Sequence, residues 1–384
     1  MLTKLRREEG QNLVLIALAM VVLMAFLALV LDLGFAYAQR RRMQNAADAG
    51  AFAGAWELAF SETPDPVGRA QEYAVQRNGA DSAQVTVDGD RVTVVAIKTL
   101  PTFFAGVIGI PSVTVSARAT AQVTSTPAFE WALFANDDDD EALRLNGNSL
   151  GVVGDLHSNG GTRINGNRIN IDGGIESVGH FRLNGNRNTI EGPILITESG
   201  GYSINGNQND YPEPSYSAQY REIYQFDLEE YGFDGRPDDV PESEWHHYSD
   251  DLHINGNNIT LDEGLYFVEG DIHINGNNIS GENVTLVATG NIHLNGNNLD
   301  FTLYDEHIVL FSNSGDIHVN GNNIDLKGII YAPQGRAHIN GNSLSAPIDG
   351  SVLADTIRIN GNNIEIVHYN PDYVPSIPGF TLVE

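Results

Sequence analysis

Residues 13–31, LVLIALAMVVLMAFLALVL, are an uninterrupted run of nineteen apolar residues. A helix of that length crosses the hydrocarbon of a bilayer. Further along, the pattern changes to alternation in steps of two. In DIHINGNNIS, Ile272 and Ile274 fall on one side of an extended chain, and Asp271 and His273 on the other. Second apolar runs follow, such as VTLV at 284–287, IVLF at 308–311 and IIY at 329–331, and a glycine (Gly270, Gly290, Gly315, Gly335) closes many of the units. The unit is written ten times around Asn-Gly-Asn, beginning at Asn146, Asn165, Asn184, Asn205, Asn255, Asn275, Asn295, Asn320, Asn340 and Asn360. An aliphatic residue precedes every triplet. Another stands four residues after the first Asn in eight copies, Asn188 and Asn209 being the exceptions.

A period near twenty residues marks a stacked repeat. Gly and Asn in mid-unit exclude helical repeats. Three short strands per unit, separated by Gly or Asn corners, predict an all-β parallel solenoid, a right-handed β-helix of about ten coils. Its equivalent residues would lie about 4.8 Å apart along the stack. At that spacing the corner amides form ladders, involving Asn255, Asn257, Asn275, Asn277, Asn295, Asn297, Asn320, Asn322, Asn340, Asn342, Asn360 and Asn362. The triplet reads as architecture, a corner device set by backbone geometry.

The apolar run is flanked by Lys4, Arg6 and Arg7 before it and Arg40, Arg41 and Arg42 after it, so charge alone leaves its orientation undecided. It exceeds the apolar core of a signal peptide, so the expectation is a retained anchor. The helix should continue through MQNAADAGAFAGAWELAF, since nothing breaks it before Pro64. The run QRRRMQNAADAGAFAGA, from Gln39 to Ala55, resembles the start of TadE/TadG-like (Tad, tight adherence) pilus-assembly proteins. Thr102-Phe-Phe-Ala-Gly106 followed by SVTVSARATAQV, and GDLHSNGG at 154–161, are similar to later parts of such proteins. The resemblance implies a small α/β domain after the anchor. It also implies a cytoplasmic N-terminus at the inner membrane, with the bulk of the chain periplasmic or extracellular. Pilin-like members carry Glu five residues after a cleavage-site Gly. Here Leu15 stands in that place after Gly10, which points to an accessory or surface protein rather than a processed pilin.

Composition narrows the classes. Net charge is −29 with three Lys, so nucleic acid is excluded as a partner. The absence of Cys removes disulfides and thiolate metal sites. The fifty-residue step between Asn205 and Asn255 contains a Tyr-rich, acidic stretch at 209–250, read as an insertion that lays aromatics over the solenoid wall, with a helix expected at 217–231. The expected layout is a cytoplasmic stub at 1–12, a transmembrane helix at 13–35, a Tad-like α/β domain at 36–125, the solenoid at 126–370 and a tail at 371–384.

Two residues before each triplet stand Arg144, Arg163, Arg182, Ser203, His253, His273, His293, His318, His338 and Arg358. In register these make a ladder, the candidate interaction surface. Its imidazoles suit a transition metal or a pH response, and its Arg rows require acidic neighbours or an anionic ligand. Asp137–Asp140, Asp238-Asp239 and Asp250-Asp251 suit calcium by composition but match no calcium-loop spacing. Trp245-His-His247 has no further spaced ligands. No cofactor is expected. β-Helix enzymes on polysaccharides need a carboxylate cluster, and the acids here are scattered along the sequence, so a non-enzymatic role is expected. The expected function is structural or adhesive within a Tad-type pilus or cell-surface apparatus, through pilus-assembly partners or self-association. The alternatives are a polysaccharide-active enzyme and a lattice binder for glycan or ice.

Overall fold

The computed structural model describes residues 5–61, 63–304, 307–342, 348–368 and 374–383. Residues 1–4 of the expected stub, 369–370 of the expected solenoid, and 371–373 and 384 of the expected tail lie outside them. The chain forms two compact units, residues 1–126 with 376–384, and residues 127–375.

In the first unit a single helix, α1 (Leu5–Phe60), spans 56 residues, about 84 Å at 1.5 Å per residue. The large side chains of its apolar run, Leu13 to Leu31, are exposed. Its second half is lined with small residues, and Ala46, Ala47, Ala51 and Ala55 are fully buried. They pack against a four-stranded sheet of β1 (Ser82–Asp88), β2 (Arg91–Pro101), β3 (Ser112–Pro127) and the final strand Ser376–Val383. Gly50 and Gly54 mark the closest approach: a Cβ on Gly54 would stand 2.8 Å from Val92 Cγ1 and 2.9 Å from the Pro66 carbonyl oxygen. The expected small α/β domain is not evident as a separate part, because α1 runs unbroken from the expected anchor at 13–35 into the span at 36–125, as far as Phe60. Residues 376–383 form a strand of this sheet rather than a free tail.

The second unit is a parallel β-solenoid of about 12 turns. Beyond the Asn205 coil one wall carries a further strand, Ser215–Tyr216, that has no triplet. One wall holds the triplet strands, such as Ile272–Asn275, with alternate residues buried. A second holds strands buried on both faces, such as Val284–Ala288. The third holds strands such as Leu299–Thr302. The doubly buried wall explains the continuous apolar runs, since neither of its faces meets water. Ile, Leu and Val fill the interior.

Every triplet Gly except Gly256, on an end coil, is dictated by the neighbouring coil. A Cβ on Gly147 would overlap the Gly361 carbonyl oxygen, and one on Gly276 would overlap that of Gly256. The left-handed corner residue is the one after the triplet, as at Asn258 (φ 58°), Asn278 (φ 56°) and Arg168 (φ 57°). Asn188 and Asn209 replace the usual aliphatic residue and donate their amides to the carbonyls of Gly166 and Gly185.

The coils do not stack in sequence order. The coil of Asn360 lies on the coil of Asn146, with Ile357–Asn362 beside Leu143–Asn148 in parallel register. The spatial order of triplets is therefore 205, 184, 165, 146, 360, 340, 320, 295, 275, 255. Residues 209–250 are not an insertion between adjacent coils, and 217–231 do not form the expected helix. They are a strap that leaves one end of the stack and travels to the other, with one helical turn at Glu229–Tyr231. Nine coil-to-coil steps require about 43 Å, which a largely extended chain of this length covers.

Candidate functional site: the Arg and His row

The position two residues before the triplet becomes one line along the triplet wall. In space it reads Ser203, Arg182, Arg163, Arg144, Arg358, His338, His318, His293, His273, His253. Arg358, an outlier in sequence order, joins the other Arg residues, so the line divides into a guanidinium block and an imidazole block.

The guanidinium block has its counter-charges close by. Glu141 pairs with Arg144 at 3.2 Å and with Arg163 at hydrogen-bonding distance, and Asp140 pairs with Arg182 at 2.9 Å. The Arg163 guanidinium beside Glu141 holds its carboxyl below the usual range, against the opposing effect of burial. The acidic run at 137–140 is thus an organised turn, in which Asp137 Oδ1 accepts from the Asp139 N–H, and its end supplies counter-ions to the Arg row.

The imidazole block is a stack. Rings of His253, His273, His293 and His318 lie 4.8, 4.9 and 4.9 Å apart, at interplanar angles of 7°, 0° and 8°. His338 turns to 68° from His318 and meets the Asn360 side-chain amide at 2.7 Å. Burial, then the neighbouring imidazoles, push His293 down from the ordinary imidazole value. His338 is lowered by burial, then by His318 and by Arg336 and Arg358. Among the described residues no three His, Asp or Glu side chains converge as a metal site.

Two amide ladders flank the row. First-Asn side chains donate to one another from Asn205 through Asn184, Asn165 and Asn146 to Asn360, and again from Asn320 through Asn295 and Asn275 to Asn255. Between these runs Asn360 gives its amide to His338 rather than to Asn340. Third-Asn residues, Asn207 through Asn257, bond along the whole stack, each Oδ1 accepting the backbone N–H of the coil above. One further rung, Asn323 through Asn298 and Asn278 to Asn258, was not singled out from sequence and bonds side chain to side chain, each amide donating to the next Oδ1.

The sequence reading also missed a buried polar centre beneath the strap. Glu176 Oε2 lies 3.1 Å from His157 Nδ1 and 3.2 Å from Arg221 Nε, and its Oε1 accepts the Gln219 N–H at 2.8 Å. Asn159 accepts the Arg221 N–H at 2.9 Å and donates to the Arg221 carbonyl at 2.7 Å. His157 stacks on Phe134 at 4.7 Å and is held below its ordinary pKa chiefly by burial. Further along, Tyr331 Oη donates to the Tyr224 carbonyl at 2.9 Å, and Phe226, Tyr231 and Phe233 pack on Tyr331, Phe311 and Phe267. Only the break in hydrophobic pattern at His157 and Glu176 signalled it.

On the third wall, coil stacking gathers acids that are scattered in sequence. Asp300 pairs in register with Asp325, and Lys327 with Asp349. Burial, then Asp300 and Asp349 against the opposing Lys327, raise Asp325.

Residues 10–57 match the family model of putative Flp pilus-assembly TadE/G-like proteins. The N-terminal helix is a TadE/G-like segment. The TadE/G-like match coincides with α1 and stops before the sheet. Residues 230–323 match a second family model, a domain of unknown function (DUF7305), which takes in the end of the strap and the triplets at Asn255, Asn275, Asn295 and Asn320. No curated protein and no solved structure matches the chain.

Proposed function

We propose that the protein is a membrane-anchored structural component of a Tad-type pilus or cell-surface apparatus. α1 crosses the inner membrane, and the solenoid is displayed on its outer, periplasmic or extracellular side. The observation that carries this reading is a TadE/G-like helix with exposed apolar side chains, joined in one chain to a solenoid whose first and last coils stack on each other. A stack closed in this way is a rigid scaffold. The Arg and His row is its contact surface for pilus-assembly proteins or for copies of itself. The Asn rungs are support: most of their Oδ1 atoms already accept from the next coil, which leaves little of the amides for a glycan or ice lattice.

The test uses a bacterial host that makes Tad-type pili. The full chain should sediment with membranes and resist salt extraction, with its solenoid open to protease added from outside the cytoplasm. Loss of the chain should reduce piliation or surface attachment. Recovery as a freely soluble cytoplasmic protein, or unchanged piliation and attachment on deletion, would reject the reading.

A second reading rests on the acids of the third wall. Asp300, Asp325 and Asp349 with Lys327 form the kind of cluster that polysaccharide-cleaving solenoids use. Release of reducing sugar from acidic or neutral glycans, abolished by Asp325→Asn, would favour it.

A further inference from the structure

The strands of the first unit run alongside α1, so each loop has a definite level on the helix. Val92 packs at Gly54 and Val94 at Gly50. Following β2 away from that end leads to the loop at 102–111, TFFAGVIGIP, at the level of Asp32. Asp32 directly follows the apolar run, and its carboxylate accepts the N–H groups of Phe103 at 2.9 Å, Phe104 at 3.0 Å and Ala105 at 2.7 Å. The rings of Phe35 and Phe103 lie 5.4 Å apart.

Fixed in this way, the loop has no apolar partner within its unit for most of its side chains. Phe103 is 63% exposed, Phe104 46%, Val107 88% and Ile110 52%. It is ordered, closed at its base by the Thr102 N–H donating to the Pro111 carbonyl at 3.1 Å and turned by Gly109 at φ 93°. No charged residue occurs from Thr99 to Ala117, in a chain of net charge −29. The exposed apolar surface of α1 and that of the loop meet around Asp32 and Phe35.

We propose that loop 102–111 is a second membrane-contact element, inserted in the interface of the bilayer that α1 crosses. The proposal rests on the reading of the apolar run as a membrane span. Asp32 holds the loop in place: an ionised carboxylate at the end of a span is costly unless satisfied, and three backbone donors satisfy it while fixing the loop beside the helix. An apolar loop beside a span embeds about 5–10 Å at the boundary between headgroups and acyl chains. The occupant is lipid because the loop continues the apolar surface of the helix itself.

The absence of Cys permits single-site labelling. The full chain carrying Leu23→Cys, Val107→Cys, Ile110→Cys or Asp88→Cys, each labelled with the environment-sensitive fluorophore NBD, is reconstituted in phosphatidylcholine vesicles. The vesicles contain phosphatidylcholine with a nitroxide near the top of one acyl chain. Asp88 ends β1 opposite Arg91, which lies about 33 Å from Pro101 along β2, and serves as the aqueous control. Blue-shifted emission and quenching are expected at 23, 107 and 110, and neither at 88. In Val107→Asp, quenching at Ile110→Cys should fall at least about twofold. Quenching at 23 with water-like emission at 107 and 110 overturns the proposal and leaves the membrane span intact. No quenching at 23 overturns both. Blue-shifted emission at 107 without quenching, lost as protein is diluted in lipid, means that a second copy covers the loop, and also overturns the proposal.

Discussion

Asn146 donates its side-chain amide to Asn360 at 2.8 Å across 214 residues of sequence. This bond lies on the seam where the first coil meets the last. Below it run six coils laid down after the strap, and above it the four laid down before. The solenoid is therefore two arrays joined at one interface, and that interface has consequences for stability.

Gly147→Ala should open the seam. Its Cβ would overlap the Gly361 carbonyl oxygen, and backbone cannot move aside without breaking the ladders, so a loss above about 4 kcal/mol is expected. Gly256 lies on an end coil, where a Cβ would meet only Ile259 side-chain atoms, the nearer at 3.2 Å. Its φ of 145° still carries a cost of about 1–3 kcal/mol on Gly256→Ala. Thermal melts of the two variants decide the matter; equal losses would argue against a seam imposed by stacked backbone.

The histidines give stability a pH dependence with a definite sign. In the folded chain burial holds His293 and His338 in the stack, the buried His157 and the half-buried His368 below the ordinary imidazole value. As pH falls, the unfolded chain takes up protons first, so this stability is complete above about pH 6.5 and is lost as pH falls through the lowered folded values. Melting temperature should drop from about pH 7 to about pH 5, and His293→Gln should lessen the drop. A flat profile in the parent chain would dispose of the idea.

Glu176 is the fastening of the strap. Removing its carboxylate strips Arg221, His157 and the Gln219 N–H of a buried acceptor, and breaking such a centre costs about 3–5 kcal/mol. Glu176→Ala is expected to admit protease within 209–250 well before the coils unfold. The reverse order of cleavage would show that the aromatics on Tyr331 and Phe311 hold the strap unaided.

Asp325 carries a raised pKa, so its ionised form weakens the fold at neutral pH. The penalty disappears as pH falls through the raised value towards the 3.8 of the unfolded chain. Asp325→Asn should therefore raise the melting temperature by about 2 °C at pH 7, with the gain fading towards pH 4. A lower melting temperature at pH 7 would mean that the Lys327 charge needs this carboxylate more than burial opposes it.

The local signals were legible because each is written within one coil. The nineteen apolar residues specified a helix with exposed side chains, and period-two alternation around Asn-Gly-Asn specified parallel strands and corners. A row of His and Arg two residues before the triplet followed from register. Its acidic neighbours were anticipated as a requirement, although Glu141 and Asp140 could not be named, since they sit at the far end of a turn shared by three coils.

The order of the coils was not legible. A solenoid repeat specifies how one coil sits on the next, and identical triplets make the faces of all coils interchangeable, so nothing in Asn146 distinguishes Asn360 from Asn165 as a neighbour. The sequence determined the wall, the spacing and the ladders, because those follow from backbone geometry repeated at 19 to 25 residues. Only the tertiary structure decided that the strap at 209–250 returns to the opposite end. On the way Phe226, Tyr231 and Phe233 cover an apolar wall, and the coils laid down from that end bring the last coil back against the first. That return brings Arg358 to Arg144 and divides the row into Arg and His blocks, a property of the stack that no single repeat contains.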